Sequence, residues 1–147
     1  MRRVVLRDIS IVAGVVVVNA AVALSDRMAR LWNDTADSLN VSTAPVAEAV
    51  ASTGITTSTG DWAVHSVLWG VSGALAAFTI RRMRRLMPAL VVFAVTGGVL
   101  ELLQNSVTSE RSGQGMDEIG NLFGLAVGVV VGLLARRLQA LTRAPRT

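Results

Sequence analysis

Four stretches of the chain are almost purely apolar: residues 9–24, 62–80, 86–103 and 116–135. A helix rising about 1.5 Å per residue needs roughly 20 apolar residues to cross a 30 Å hydrocarbon core, where every backbone amide must find its partner within the segment. The pattern therefore predicts an all-α fold, an integral membrane bundle of four transmembrane helices. Span one (9–24) is interrupted only by Ser10 and Asn19. Span two (62–80) contains no Asp, Glu, Lys or Arg, and His65 is its one strongly polar member. Spans three and four are each polar at one end, with Glu101 near the close of 86–103 and Asp117, Glu118 and Asn121 near the opening of 116–135.

Residues 26–60 form the one long non-membrane piece. In it Met28, Leu31, Trp32 and Leu39 recur at spacings near three and four, with Arg27, Arg30, Asp34 and Asp37 between them. That spacing fits a short amphipathic helix on the outer leaflet, and equally a partly ordered linker. Residues 39–60 are rich in Ser, Thr, Ala and Gly and carry Pro45, so no regular structure is predicted there.

Composition sharpens the membrane reading. Of 147 residues, 52% are hydrophobic and 16% charged, against about a quarter charged in an ordinary soluble domain, and mean hydropathy is +0.54. The length allows one domain. All fourteen basic residues are arginines and ten residues are acidic, giving a net charge of +4. In a soluble chain that excess would suggest a nucleic-acid partner. Here the arginines sit at the ends of apolar runs, and three Trp, three Phe and no Tyr leave few rings to stack on bases, so no nucleic acid is expected. Cysteine is absent, which excludes disulfides, thiolate catalysis and Cys-based zinc sites.

The arginines predict orientation, because positive charge in short loops is retained in the cytoplasm. Arg2, Arg3 and Arg7 precede span one; Arg81, Arg82, Arg84 and Arg85 separate spans two and three; Arg136, Arg137, Arg143 and Arg146 follow span four. Eleven of the fourteen thus fall on one side and are read as an orientation signal. The other side carries Arg27, Arg30 and Arg111 with Asp26, Asp34, Asp37, Glu48, Asp61 and Glu110. Both N- and C-termini are expected to be cytoplasmic, with the loops 25–61 and 104–116 outside. The chain then divides into a first transmembrane helix (1–25), an extracytoplasmic loop (26–60), a three-helix core (61–135) and a basic cytoplasmic tail (136–147). For 1–25 a signal anchor, or a signal peptide cleaved near Ala23-Leu24-Ser25, is the alternative.

Gly120, Gly124, Gly128 and Gly132 recur at steps of four along span four. Lipid supplies no hydrophobic drive to join helices, so small residues that let backbones approach become the packing surface. Span four is therefore expected to be the central helix. Gly97-Gly98 in span three and Gly70 and Gly73 in span two offer matching thin places. The alternative partner for the stripe is a second copy of the chain, making a homo-oligomer.

Ionisable groups within membrane segments are costly, at roughly 3 kcal/mol each near the centre, so their positions are informative. Asp61 and His65 lie four apart on one face at the outer start of span two, with Asp61 placed to cap the helix and hold the imidazole. Glu101 and Gln104 share a face at the outer end of span three. Asp117 and Asn121 share the face of Gly124 and Gly128 in span four. Three helices thus present polar groups at one depth, and Arg111 lies in the short loop between the second and third of them. Such a site suits an ion-paired cluster or an anionic head group such as phosphate.

In this order Asp61-x-x-x-His65, Glu101-x-x-Gln104, Arg111 and Asp117-x-x-x-Asn121-x-x-Gly124 resemble the VanZ-like family of small bacterial membrane proteins, over about residues 61–135. The resemblance implies a multi-pass protein of the bacterial cytoplasmic (inner) membrane, in a family whose named member is associated with low-level resistance to the glycopeptide antibiotic teicoplanin. It implies Asp61, His65, Glu101, Gln104, Arg111, Asp117, Asn121 and Gly124 as shared residues, and brings no settled biochemical activity. Two features depart from the usual pattern. Trp62 stands where members often have a basic residue, which removes a cation from an anion site. Ser109-Glu110 stand where a Pro-Gly step often precedes the Arg, which bears on the placement of Arg111.

Three functional readings follow. In the first, Asp61, His65, Glu101, Gln104, Arg111, Asp117 and Asn121 bind the head of a membrane lipid or lipid-linked cell-wall precursor and so modulate glycopeptide response; this needs no cofactor and no metal. Arg111 would pair with phosphate while Gln104 and Asn121 supply amide hydrogen bonds. The alternative is an intramembrane enzyme acting on a lipid head group, with His65 as general base oriented by Asp61, and Glu101 or Asp117 as acid. A variant of it holds a divalent metal on His65, Glu101 and Asp117. Against catalysis, Ser106, Thr108 and Ser109 have no nucleophile motif around them. The third reading is a polar lock between helix ends. A transporter is disfavoured because the polar groups stay at one end of the bundle.

Overall fold

The computed structural model describes residues 2–25, 59–107 and 115–143, together with residues 27, 30, 31, 34, 35 and 38. Four long helices and no strand occur among these residues: α1 (Arg2–Ala23), α2 (Thr59–Thr79), α3 (Met83–Val107) and α4 (Gly115–Thr142). Three of them contain segments long and apolar enough to cross a bilayer, Val4–Ala23, Met83–Leu103 and Glu118–Thr142, and α2 contributes the shorter apolar segment Ala63–Thr79. Their outward surface is apolar too. Val17, Val67, Val71, Val95, Leu102 and Val130 are all more than half exposed, a surface that suits lipid and not water. In the segment between α1 and α2 the six described positions are helical, and the Thr35 and Ser38 hydroxyls donate to the Leu31 and Asp34 carbonyls. Met28, Trp32, Asp37 and Leu39 of the expected amphipathic pattern lie outside the described residues.

Cross-helix pairs fix the directions of the helices. Asn19 meets Ser72 and Arg7 meets Thr79, so α1 and α2 are antiparallel. The Ile80 amide extends the α2 ladder onto Ala76, and the Arg82 carbonyl accepts the first bonds of α3 from Arg85 and Leu86, which turns the chain back at once. Between α2 and α4 the order Ser66–Gly124, Gly70–Gly128, Ala74–Gly132 makes the two helices parallel. The bundle is therefore up-down-up-down, with the N-terminal end of α1 and the C-terminal end of α4 together. Around the α2–α3 turn at that end lie the arginines of all three basic clusters that are described.

The α2–α4 seam is the closest contact in the bundle. A Cβ built on Gly124 would fall on the Ser66 backbone, one on Gly128 on the Gly70 backbone and one on Gly132 on the Ala74 carbonyl. From the other side, one on Gly73 would lie 2.5 Å from the Leu125 carbonyl oxygen. The glycine stripe thus lies against α2 within the same chain. Among the described residues α4 touches α2, its most extensive partner, and α3, while α2 and α3 each touch all three other helices. The stripe is one narrow seam, which a single neighbouring helix covers, and the buried Trp69 and Phe93 rings, 6.4 Å apart between centres, meet between α2 and α3. The helix also continues past Ala135 to Thr142, so the start of the basic tail extends α4.

Candidate functional site

At the end of the bundle opposite the arginines, α2, α3 and α4 each place one polar side chain in the interior. His65 is 3% exposed, Glu101 8% and Asn121 3%. His65 Nδ1 lies 2.8 Å from Asn121 Oδ1 and 3.5 Å from Glu101 Oε1. The Asn121 amide Nδ2 donates to Glu101 Oε1 at 3.4 Å and to Glu118 Oε2 at 3.2 Å. Two acceptors on the Nδ2 side fix the orientation of the amide, so Oδ1 accepts and His65 Nδ1 carries the proton. The imidazole is therefore held at one nitrogen by an amide with a carboxylate beside it.

The backbone makes room for this cluster. Gly97 on α3 faces it, and a Cβ there would stand 2.9 Å from Glu118 Oε2, 3.3 Å from Asn121 Nδ2 and 3.4 Å from the Trp69 ring. The thin place at Gly97-Gly98, read from sequence as a helix-packing feature, thus accommodates polar side chains. Trp69, one turn from His65 on α2, closes the cluster on the apolar side. Ser66, next to the histidine, gives its hydroxyl to the Gly120 carbonyl at 3.2 Å. That hydroxyl is thus engaged with the α4 backbone. Among the described residues no three His, Asp or Glu side chains come together as a metal-binding set.

Of the residues singled out in the sequence, His65, Glu101 and Asn121 are brought into contact. Gly120, Gly124, Gly128 and Gly132 are buried along α4. The side chains of Asp61, Gln104 and Asp117, and all of Arg111, lie outside the described residues, so the expected Asp61–His65 pair and the anion-binding role of Arg111 fall there too. Glu118 was not among the expected site residues. Its signal was the spacing of three to Asn121, which puts both on one helix face.

Further polar contacts lie in the bundle among the described residues. Asn19, 2% exposed, donates to the Ser72 hydroxyl at 3.0 Å, and Ser72 in turn donates to the Leu68 carbonyl. At the basic end Asp8, 7% exposed, accepts from Arg7 at 3.0 Å and Arg85 at 3.1 Å, while Arg7 also reaches the Thr79 carbonyl. Arg136 donates to the Ala77 and Ile80 carbonyls, satisfying the C-terminal end of α2. These arginines hold helices together, a role beyond the orientation signal read from sequence.

No family model, curated protein or solved structure matches the chain.

Proposed function

We propose that this chain is a four-span, VanZ-like protein of the bacterial cytoplasmic membrane, with both termini in the cytoplasm. Its buried polar cluster forms part of an outer-end site for the head of an envelope lipid or lipid-linked wall precursor. Engagement of that head alters its exposure and so modulates the glycopeptide response. The observation that carries the reading is the convergence of His65, Glu101 and Asn121 from three helices, with Glu118 beside them, at one end of an apolar bundle. Buried polar groups are expensive in lipid, and a cluster at one level with an amide and an imidazole suits recognition of a hydrogen-bonding head group. On the sequence pattern the same reading assigns Arg111 as the cation for phosphate and Asp61, Gln104 and Asp117 as further ligand-binding residues.

The enzymatic alternative uses the same imidazole as a base, with Glu101 as its charged partner. The test is lipid retention in native mass spectrometry, together with teicoplanin susceptibility of cells expressing the wild type, Arg111→Ala or His65→Ala. Both variants should lose the retained lipid and the susceptibility change while keeping their expression level. Retention and phenotype unchanged in both would overturn the proposal, and release of a cleaved head group by the wild type would favour the enzyme.

A further inference from the structure

The opposite end of the bundle contains a second built feature, which the outer-end site does not involve. Along the last turns of α4, Leu133, Arg136, Arg137, Ala140 and Arg143 recur at spacings of three and four and so share one face. With Arg81 from the α2–α3 turn they bound a cavity of about 590 Å³. Leu133 and Ala140 give it an apolar wall, four arginines and Gln139 line it, and no acidic side chain does among the described residues. Asp8, an acid at this end, is engaged by Arg7 and Arg85. Arg136 is oriented by the Ala77 and Ile80 carbonyls, which fixes the wall on which the other guanidinium groups stand. On the other face of the same turns Leu134, Leu138 and Leu141 are exposed, an apolar side that keeps the segment against the bilayer.

We propose that this cavity binds a phosphodiester anion, the chemistry of an acidic phospholipid head group in the leaflet at the arginine-rich end. Four cations gathered with no acidic side chain beside them among the described residues repel one another, and an anion among them relieves that repulsion. Guanidinium groups match phosphate oxygens as two-pronged donors, and the strip of Leu133 and Ala140 gives an acyl chain a path out of the cavity. A basic recess between helix ends at the membrane boundary is the geometry in which acidic lipids lodge. Inorganic phosphate shares the charge but not the chains, so it separates a lipid site from a soluble-anion site.

The test measures the unfolding midpoint of the detergent-purified full chain, and its bound lipid by native mass spectrometry, with added phosphatidylglycerol, phosphatidylcholine or inorganic phosphate. Phosphatidylglycerol should be retained and raise the midpoint, and the other two should not. Arg137→Gln with Arg143→Gln should weaken that binding by about fivefold per arginine, hence roughly 25-fold for the pair. Arg82→Gln with Arg84→Gln removes equal charge outside this cavity and should leave binding intact. Should the first pair fail to insert, Arg137→Lys with Arg143→Lys keeps the charge and should still bind more weakly. Equal weakening by the two glutamine pairs, or a midpoint shift with phosphatidylcholine, would overturn the proposal. A full shift with inorganic phosphate alone would overturn its lipid identity.

Discussion

His65 Nδ1 and Asn121 Oδ1 lie 2.8 Å apart across the parallel seam of α2 and α4, about one turn from the point where Gly124 seats on the Ser66 backbone. The hydrogen bond and the glycine contact hold the same register. A shift of either helix would break both, since a Cβ-free strip and a buried amide are each matched to one alignment.

The coupling between these side chains should be measurable. In a double-mutant cycle of His65→Ala and Asn121→Ala, unfolding in detergent should give an interaction of about 0.6 kcal/mol, and no more than roughly 1.7, the range for hydrogen bonds between membrane helices. Additive single effects would show that the pair does not interact. Asn121→Asp should melt below Asn121→Ala, because it adds a third carboxylate beside Glu101 and Glu118.

Glycine replacements should separate seam from surface. Gly128→Val places its Cβ on the Gly70 backbone, which cannot rotate away as a side chain can. Its loss should therefore reach or exceed the upper end of the usual overpacking range of about 1–3 kcal/mol. Gly14 has nothing within 4 Å of the added atom. Gly14→Ala should leave stability intact or raise it by about 0.5–1 kcal/mol. Thermal unfolding of the two variants in one detergent is the comparison, and similar losses would contradict the seam.

Docking of α1 should depend on Asp8. Because the chain has no native cysteine, Asn19→Cys with Ser72→Cys gives one clean cross-linking pair across α1 and α2. Adding Asp8→Ala should lower the cross-linked fraction. The loss should stay below the roughly 3–5 kcal/mol of a fully buried broken pair, since Arg85 and Arg7 reach solvent. An unchanged yield would mean that α1 is held without this ion cluster.

The orientation proposed for the bundle has its own test. Ser38→Cys should react with a membrane-impermeant maleimide in intact spheroplasts, and Arg143→Cys only after permeabilisation. The reverse pattern would place the arginine-rich end outside.

The fold was largely legible because long apolar runs have few ways to satisfy their backbones in lipid. Glu101 and Asn121 could be nominated as site members for the same reason: each interrupts an apolar run near one end. Their depth followed from counting residues along helices. Glu118 was harder to read, since the four-residue spacing of Asp117, Asn121 and the glycines drew attention to one line of the helix, whereas Glu118 reaches Asn121 from a spacing of three. Asp8 received no role in the sequence and Asn19 only that of an interruption in span one, because their partners Arg85 and Ser72 are distant in sequence.

By itself the sequence determined the helical class, the three basic clusters at alternate span ends and the polar ends of spans three and four. These depend on local periodicity and on solvent preference, which each segment carries alone. Only the tertiary structure decided that α2 and α4 run parallel in contact, that α2 and α3 each touch all three other helices, and that Gly97 opens space for Glu118 and Asn121. Those outcomes depend on which backbone a glycine meets, and that is a property of two segments placed together.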